Sequence, residues 1–512
     1  MSYTKIIQCK NENELIYLSN AIYESGLVIY SAPDYYGGIA LHSIPPSDPK
    51  YSYQYYLNNT GQAIPTLISN SEYGSAGMDI KAVNAWMFVQ YLHNNLGNAI
   101  KVAVIDDGVE DPEDLMTGSS NRVLQGWTCG GGNGHPMDNS LHGQCVAGII
   151  AASHNDKGVA GIAPNTEIIP ICIQKDHSFL HLSFNGPYYS CFYSFGKIAR
   201  AIRKAWNKFG AEILNNSWGS TVFIHDKILR AFEKAANKGR DGKGCVITAS
   251  AGNESSTTNT NEIGRMPYSI NVGAIDKNGF RTSYSNYSSG NQPGVDIVAF
   301  GGRFDSINPT TTGYDIRTID REGNRGFTNN NYHDFFGGTS AAAPMVSGVA
   351  SLMLSVNPNL TGQQVKDIIE QTAQKLPNYT FAPVSSTHPN GTWNNEVGYG
   401  LVDAHKSVVY AYMYGHDVSL SVEELLTCSS YSCVCNIWHP ELFTYEWSCS
   451  SNMCISVQND NQVTLIPLSS GTGTVSVNIL SYGRIMYTQT ATVDLSAALP
   501  SSLQPVATTP IN

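Results

Sequence analysis

The chain has 512 residues, of which 42 % are hydrophobic, and its formal net charge is −11. This length and apolar content can build a large core and exceed one ordinary domain, so at least two domains are expected. The negative charge disfavours nucleic acid as a partner. No run of 18 or more apolar residues occurs, so no membrane-spanning helix is predicted. The stretch that comes closest, 340–356, contains a proline and is expected in a protein core.

The first 45 residues predict one helix and one strand. Apolar residues recur with a helical period over 12–25, Gly26 ends the helix, and 27–30 has the composition of a strand. Met1-Ser2-Tyr3 does not begin a signal peptide.

Strands and helices alternate through the middle of the chain. Strands are predicted at 101–106, 167–173, 211–216, 244–250, 270–275 and 294–299, and helices at 195–209, 226–238 and 361–372. This alternation predicts an α/β fold, in which helices flank a parallel sheet on both faces. The stretches 175–194 and 303–335 are rich in Asn, Gly, Thr and Tyr, lack a helical period, and are predicted to be surface loops.

Three polar side chains lie where such a fold places chemistry. Asp106 ends an apolar strand, and His142 opens an apolar, small-residue helix predicted over 141–152. Ser340 follows a glycine-rich turn and opens a helix predicted over 340–355. A helix N-terminus offers unpaired N–H groups and a partial positive charge, which would stabilise an oxyanion beside the serine.

Together these segments resemble the subtilisin-like serine proteases, or subtilases. The resemblance rests on four blocks in the family's order: VIDDG at 104–108, HGQCVAG at 142–148, ASAGNE at 249–254 and GTSAAAP at 338–344. With the segments between them, they cover roughly 50–414. The resemblance implies a serine endopeptidase in which Ser340 is the nucleophile, His142 the general base and Asp106 the group that orients His142.

The resemblance also assigns residues around the triad. Asn253 matches the family's side-chain donor to the oxyanion. The two walls of the pocket for the residue before the scissile bond are formed by Ser217, Trp218 and Gly219 on one side and by Ala251 and Gly252 on the other. Because 220–224 contains no carboxylate, the paired-basic specificity of kexin-like relatives is not expected, although Glu254 leaves a weak basic preference open.

A structural calcium ion is a further expectation from the resemblance, although the chemistry requires no cofactor. Subtilases commonly hold Ca²⁺ at the loop after the histidine helix, and Asp114 and Asn155 match two of its oxygen ligands. The segment after Asp106 is one residue shorter than the usual pattern, and Lys157 adds a positive charge nearby. The sequence therefore leaves open whether this loop holds an ion.

The chain contains eleven cysteines. Cys145 lies on the same helical face as His142 and is an alternative nucleophile. We reject it because Ser340 holds the nucleophile position and a cysteine in an apolar helix is usually buried. Five cysteines between 428 and 454 would permit one or two disulfides if the protein is exported.

After residue 414 the pattern changes to short alternating strands, at 418–422, 444–449, 462–467 and 474–480. They predict an antiparallel sandwich similar to bacterial immunoglobulin-like (Ig-like) domains. The predicted domains are a partial propeptide at 1–45, a subtilisin-like catalytic domain at 46–414, an Ig-like sandwich at 415–495 and a disordered tail at 496–512. The resemblance implies protein or peptide substrates, the propeptide as inhibitor, and a secreted or cell-surface location.

Two other functions stay open. One is a catalytically inactive, protease-like surface protein that binds peptides in the same cleft. The other is an esterase that uses Ser340, although the Gly-x-Ser-x-Gly turn of many esterases is absent there.

Overall fold

The computed structural model describes residues 45–65, 72–136, 140–174, 194–218, 225–257, 263–289, 294–302, 315–425 and 430–495. The helix and strand predicted before residue 45, residues 175–193 of the predicted loop at 175–194, and the predicted tail at 496–512 lie outside these residues. The described residues from 45 onward belong to one compact unit.

A parallel sheet forms from the apolar runs of the middle region. Its strands are β1 Lys101–Asp106, β2 Trp127–Thr128, β3 Glu167–Cys172, β4 Ile213–Asn216, β5 Val246–Ser250, β6 Ser269–Ile275 and β7 Ile297–Phe300. Within the described residues these seven strands lie in the order β7-β6-β5-β4-β1-β3-β2, and every neighbouring pair is parallel. The sheet is covered on both faces, which is why its strands are almost continuously apolar.

Helices cover both faces of this sheet, as predicted. They are α1 Ala82–His93, α2 His142–Ala151, α3 Phe195–Asn207, α4 Asp226–Lys238, α5 Thr339–Val356, α6 Gly362–Thr372 and α7 Ala404–Met413. In β1, Val102 and Val104 join the core that contains α1, α2 and α5, whereas Ala103 and Ile105 join the core that contains α3 and α4. Successive side chains of a strand point to opposite faces, so one strand serves both cores.

Helix α5 lies inside the larger core. It is long and apolar enough to cross a membrane, but 89 % of its most apolar window is buried by the rest of the described chain. The expectation of a core helix at 340–356 is confirmed.

The prediction of a surface loop over 303–335 is wrong for its second half. Residues Ile316–Ile319 form β8, which is buried, and Tyr332–Phe336 form β9, which pairs with β8 in an antiparallel hairpin. The short apolar run of β8 is interrupted by Arg317 and Thr318, so it shows no alternation that would identify a strand. It is buried because α2 packs against it: the Thr318 hydroxyl donates to the Cys145 carbonyl at 2.6 Å.

The C-terminal region is built of antiparallel sheets. Its strands are β10 Ser419–Leu425, β11 Ser430–Asn436, β12 Thr444–Cys449, β13 Met453–Asn459, β14 Gln462–Pro467, β15 Thr472–Ser481 and β16 Arg484–Asp494. Among the described residues they form one sheet in the order β10-β11-β14-β13 and another in the order β12-β15-β16. One apolar cluster takes Cys433 and Leu465 from the first sheet and Val475 and Val493 from the second, so the two sheets share a core.

The described cysteines of this region, Cys433, Cys435, Cys449 and Cys454, are all free thiols, and Cys428 lies outside the described residues. The disulfides that the sequence permits here do not form among the described residues.

Candidate active site

Asp106 and His142 meet at the carboxyl end of β1. Asp106 is the last residue of the strand and is 1 % exposed, and His142 is the first residue of α2. His142 Nδ1 lies 3.0 Å from both carboxylate oxygens of Asp106. Because a carboxylate only accepts, it holds Nδ1 as the protonated nitrogen and leaves Nε2 as the basic one.

Asp107 is a second carboxylate at this position, and it holds the backbone that carries His142. Its Oδ2 accepts the N–H groups of Leu141 at 2.8 Å and His142 at 2.9 Å, and its Oδ1 accepts that of Gly143 at 2.6 Å. A carboxylate at the N-terminal end of a helix accepts hydrogen bonds from the unpaired N–H groups there, and its negative charge interacts favourably with the helix dipole. The sequence analysis missed this role, although the Asp-Asp pair at 106 and 107 was its signal.

These two carboxylates set the protonation of His142. Burial lowers the pKa of His142, but the charge of Asp106 and its hydrogen bond, aided by Asp107, outweigh burial and raise the pKa to about 9. Burial and the neighbouring Asp106 raise the pKa of Asp107 to about 6. The site therefore holds a strong base, whose neutral form grows as the pH rises.

Ser340 is half-buried in the first turn of α5, where a helix has unpaired N–H groups. Its hydroxyl donates to the Ser217 carbonyl at 3.1 Å, and the Ser217 hydroxyl donates to the Ser340 carbonyl at 3.0 Å. Pro344 lacks the N–H that would bond to the Ser340 carbonyl within the helix, and Ser217 replaces it. In the described chain no hydrogen bond joins Ser340 to His142, whose bonding partner on the ring is Asp106.

Packing still connects the elements that carry these two residues. Helices α2 and α5 share one core, and Phe336, four residues before Ser340, lies edge-on to the His142 ring with centroids 5.3 Å apart. His142 itself keeps 30 % of its side chain exposed.

Asn253 lies beside the start of α5. Its Oδ1 accepts both the N–H and the hydroxyl of Thr339, each at 2.9 Å. Because the carbonyl end of the amide is used in this way, the Nδ2 end is the one left to donate to a substrate. Gly338 has a φ of +84°, and a Cβ there would lie 3.3 Å from Asn253 Nδ2, so glycine serves both the turn and the close approach.

The predicted pocket walls are described in part. Ser217 is buried, Trp218 is half-buried, and Gly219 lies outside the described residues. On the opposite side Ala251 is buried and Gly252 adopts a φ of +103°. A Cβ on Gly252 would lie 2.4 Å from Asn286 Nδ2, and this amide also donates to Glu254 at 2.7 Å.

A buried polar network lies beneath Ser217 and was not found from the sequence. Asn215 Nδ2 donates to the Ser217 hydroxyl at 3.1 Å, and its Oδ1 accepts the Ser347 hydroxyl at 2.9 Å. Thr248 Oγ1 lies 2.7 Å from Ser347 Oγ. The network joins β4, β5 and α5, so it fixes the end of β4, next to Ser217, against the helix that carries Ser340.

The alternative nucleophile, Cys145, is fully buried, and burial raises the pKa of its thiol well above the usual value. Cys145 is therefore not a thiolate near neutral pH, and thiol nucleophiles act as thiolates.

Asp114 and Asn155, the residues matched to a calcium site, lie together with Asp48. Asp48 Oδ1 accepts the Asn155 N–H at 3.1 Å, and Asp114 Oδ2 accepts the Val159 N–H at 3.3 Å. Asp48 and Asp114 are 3 % and 2 % exposed. One buried oxygen of each, Asp48 Oδ2 and Asp114 Oδ1, has no hydrogen-bond partner in the described chain.

This pair has the chemistry of a cation site. Burial, together with Asp48, raises the pKa of Asp114 to about 7, and burial also raises the pKa of Asp48. Lys157 pairs with Glu113 at the surface, so its charge is already matched. No group of three or more His, Cys, Asp or Glu side chains that would hold a metal occurs among the described residues, and any ion here would need amide or carbonyl oxygens beside the two carboxylates.

Comparisons with known proteins agree with this architecture. The model of the Subtilase family matches residues 97–400. The chain is 29 % identical over 341 residues to the Calcium-dependent protease of Nostoc sp., covering 62 % of this chain and 47 % of that protein. It is 30 % identical over 358 residues to Fervidolysin of Fervidobacterium pennivorans, covering 68 % of this chain and 45 % of that protein. The matches thus span about half the length of these relatives.

Solved structures show the same fold at low identity. The match to the serine protease of Aeromonas sobria, in complex with the chaperone ORF2, covers 88 % of this chain and 94 % of that chain, with a TM-score of 0.56 and 18 % identity. The match to a protease from Pseudoalteromonas arctica covers 72 % of this chain and 99 % of that chain, with a TM-score of 0.53 and 23 % identity. The family model spans more than half of the sequence, and the matched range includes Asp106, His142 and Ser340. The chain belongs to the subtilase family.

Proposed function

We propose that this protein is a serine endopeptidase that hydrolyses peptide bonds through an acyl-enzyme. The observation that carries the proposal is the Asp106–His142 pair, which holds the imidazole by Nδ1 and turns its basic Nε2 away from Asp106. In this reaction His142 takes the proton of Ser340 as the hydroxyl attacks the carbonyl, then gives it to the leaving amine. A water molecule, deprotonated by His142 in the same way, then attacks the acyl-enzyme and releases the acyl group.

The serine must change its hydrogen bond for this chemistry. Its hydroxyl now donates to the Ser217 carbonyl, and the reaction needs it to donate to His142 Nε2. A serine hydroxyl moves from one staggered position to another by rotation about its Cα–Cβ bond. Hydrogen bonds of catalytic groups are often misaligned before substrate binds.

The negative oxygen of the intermediate would be stabilised by the N–H of Ser340 and by Asn253 Nδ2. Thr339 fixes Asn253 through two hydrogen bonds, so this donor is positioned before the reaction and needs no reorganisation. The acyl half of the substrate would lie along Ser217 and Gly252, where an extended peptide forms main-chain hydrogen bonds.

Turnover of casein by wild-type protein and by Ser340→Ala tests the proposal. We expect loss of turnover by about 10⁶-fold in Ser340→Ala, since removal of the nucleophile removes the covalent route. Ser355→Ala is the matched control, because it removes a hydroxyl from the other end of α5 and is expected to remain active. Equal turnover by wild type and Ser340→Ala would contradict the proposal.

One feature favours a second candidate, a catalytically inactive protein that binds peptides in the same cleft. The hydroxyl of Ser340 is engaged by Ser217 and not by His142. Peptide binding without turnover by protein freed of residues 1–45 would support this candidate.

We also propose that Asp48, Asp114 and Asn155 hold a structural calcium ion, which the name of the Nostoc relative makes relevant. The pKa of such a buried carboxyl is higher in the folded state than in the unfolded state, where it is about 3.9. The free energy of unfolding therefore falls as the pH rises from the unfolded-state pKa towards the folded-state pKa. A bound cation would remove that penalty.

Calcium should therefore raise the unfolding temperature more at about pH 8 than at about pH 5. Asp114→Asn should lose most of this gain, whereas the exposed control Asp111→Asn should keep it. An equal response to calcium at both pH values and in both variants would contradict the site.

Residues 1–45 fit the role of an inhibitory propeptide, and residues 415–495 that of an Ig-like domain in a secreted or cell-surface protein. Support comes from the sequence pattern of the first segment and from the paired antiparallel sheets of the second. Addition of a synthetic peptide of residues 1–45 to a variant that lacks them tests the first role, with inhibition as the expected result.

A further inference from the structure

An aromatic cluster connects His142 to the surface. Phe336 lies edge-on to the His142 ring, and Phe327 lies 6.5 Å from Phe336 between ring centroids. Phe327 also stacks on His333, with centroids 4.8 Å apart and planes 14° apart. Phe336 is 5 % exposed, whereas Phe327 is 40 % exposed, so Phe327 is the part of this cluster that solvent reaches.

Single exposed aromatic residues are common and need no function. Phe327 differs because its loop is built to hold it in place. The buried carboxylate of Asp320 accepts the N–H of Phe327 at 3.0 Å and the N–H of Thr328 at 2.8 Å. A Cβ on Gly326 would lie 2.2 Å from Asp320 Oδ1, so the preceding residue must be glycine for this turn to close.

Charged contacts anchor the same loop to the segment before His142. Glu110 Oε2 lies 3.3 Å from Arg321 Nη2 and 2.9 Å from Arg325 Nη1. Arg321 Nη1 also donates to the Ser140 carbonyl at 2.9 Å, two residues before His142. These contacts tie the loop that carries Phe327 to the chain two residues before His142.

The chemistry of His142 decides which part of a substrate meets this surface. His142 must reach the leaving nitrogen to protonate it, so the half of the peptide after the scissile bond lies on the His142 side of Ser340. The acyl half lies on the other side, along Ser217 and Gly252. The aromatic cluster begins 5.3 Å from the His142 ring, between the centroids of His142 and Phe336, and an extended peptide covers such a distance in about two residues.

We infer that Phe327, supported by His333 and Phe336, forms a subsite for an aromatic or large aliphatic side chain in the first or second residue after the scissile bond. The inference rests on the proposed endopeptidase function. It makes Phe327 a determinant of specificity and leaves the acyl half of the substrate unaffected.

The test compares wild type with Phe327→Ala on peptides that share one acyl part, taken from a site that the protein cuts in casein. The first and second residues after the cut are varied one at a time between Phe, Leu and Ser. Wild type should prefer Phe and Leu over Ser at one of these positions, and Phe327→Ala should reduce that preference about tenfold in kcat/KM, the effect usual for a hydrophobic pocket. Phe327→Leu should retain most of it.

A methyl ester of the same acyl part separates this role from a structural one, because methanol is too small to reach Phe327. Ester hydrolysis should stay within about twofold in Phe327→Ala. The control Leu468→Ala, which replaces an exposed apolar residue just after β14, should change neither readout. An unchanged preference in Phe327→Ala, or an equal loss on ester and peptide, would overturn the subsite alone. Absence of turnover of every substrate by wild type, both intact and freed of residues 1–45, would overturn the proposed function as well.

Discussion

The parallel-sheet region before Met413 and the antiparallel sheets after Ser419 differ in where they keep polar groups. The first region buries Asp106, Asp107 and Asn215, and each has hydrogen-bond partners that position a site residue. In the second region the buried polar residues among those described are Ser430 and Ser481, and no charged side chain of the described residues there is buried. Buried polar groups cost stability unless they are paired, so their concentration in one region marks where the fold serves chemistry.

The two regions meet at α7. The fully buried Asp403 pairs with Arg484 of β16, and His405 Nε2 lies 3.1 Å from Ser481 Oγ. Tyr410 stacks on Tyr487 with ring centroids 4.8 Å apart. These contacts lie on α7, the last helix of the first region, and no candidate catalytic residue takes part in them. The comparison predicts that changes near β1 act on activity and that changes at this junction act on stability.

Replacement of Asp106 should have the largest effect on activity among the positioning groups. Asp106→Asn keeps the shape of the side chain but allows Nδ1 to become the unprotonated nitrogen, so kcat should fall by about 10⁴-fold. Steady-state kinetics on a peptide substrate measure it, with the exposed Asp111→Asn as control. A loss below about tenfold would remove Asp106 from the proposed mechanism.

Asn253→Ala should come next. Loss of the amide that Thr339 positions should lower kcat by about 10²- to 10³-fold with a much smaller change in KM, because the oxyanion exists only after attack. Equal changes in kcat and KM would instead point to a role in binding the ground state.

Asp107→Asn should have a smaller effect that depends on pH. Asp107 raises the pKa of His142, so the variant should have a lower His142 pKa, and the rise of kcat/KM with pH should move to lower pH. The amide oxygen still caps α2, so folding should be retained. A pH profile of kcat/KM for wild type, which should increase up to about pH 9, and for the variant gives the shift. Identical profiles would show that Asp107 acts on structure alone.

Arg484→Ala should have the smallest effect on activity and sharpens the contrast between regions. It leaves the buried Asp403 carboxylate with the Lys406 N–H but without its ion pair, and the loss of one partner of a buried pair costs about 3–5 kcal/mol. The unfolding temperature should fall while kcat stays within about twofold. The exposed Arg230→Ala is the control. A large loss of kcat without loss of stability would mean that the second region contributes to the site.

The sequence predicted the parallel region well because local patterns determine it. The helix at 226–238 and the strand at 101–106 have the predicted bounds, since apolar periodicity and strand burial depend on neighbouring residues. Helices α1 and α7 were not predicted, because they are apolar on most faces and show little periodicity. Strand β8 was missed because its burial depends on α2, which lies far away in the sequence.

The candidate site shows the same limit. The motif blocks identified Asp106, His142 and Ser340, but not Asp107 as the group that holds the His142 backbone, nor Asp48 beside Asp114. Both missed roles arise from contacts between residues more than 30 positions apart. The sequence analysis assigned Ser217 only to the substrate pocket. Its hydroxyl also donates to the Ser340 carbonyl, which Pro344 leaves without a helical partner, and no sequence pattern links Ser217 to Pro344.

Covalent labelling with a fluorophosphonate, followed by mass spectrometry of the peptides, tests most directly whether Asp106, His142 and Ser340 act together. We predict one adduct, on Ser340 of protein freed of residues 1–45, and much slower labelling of Asp106→Asn. An unlabelled Ser340, or labelling that does not depend on Asp106, would contradict the account.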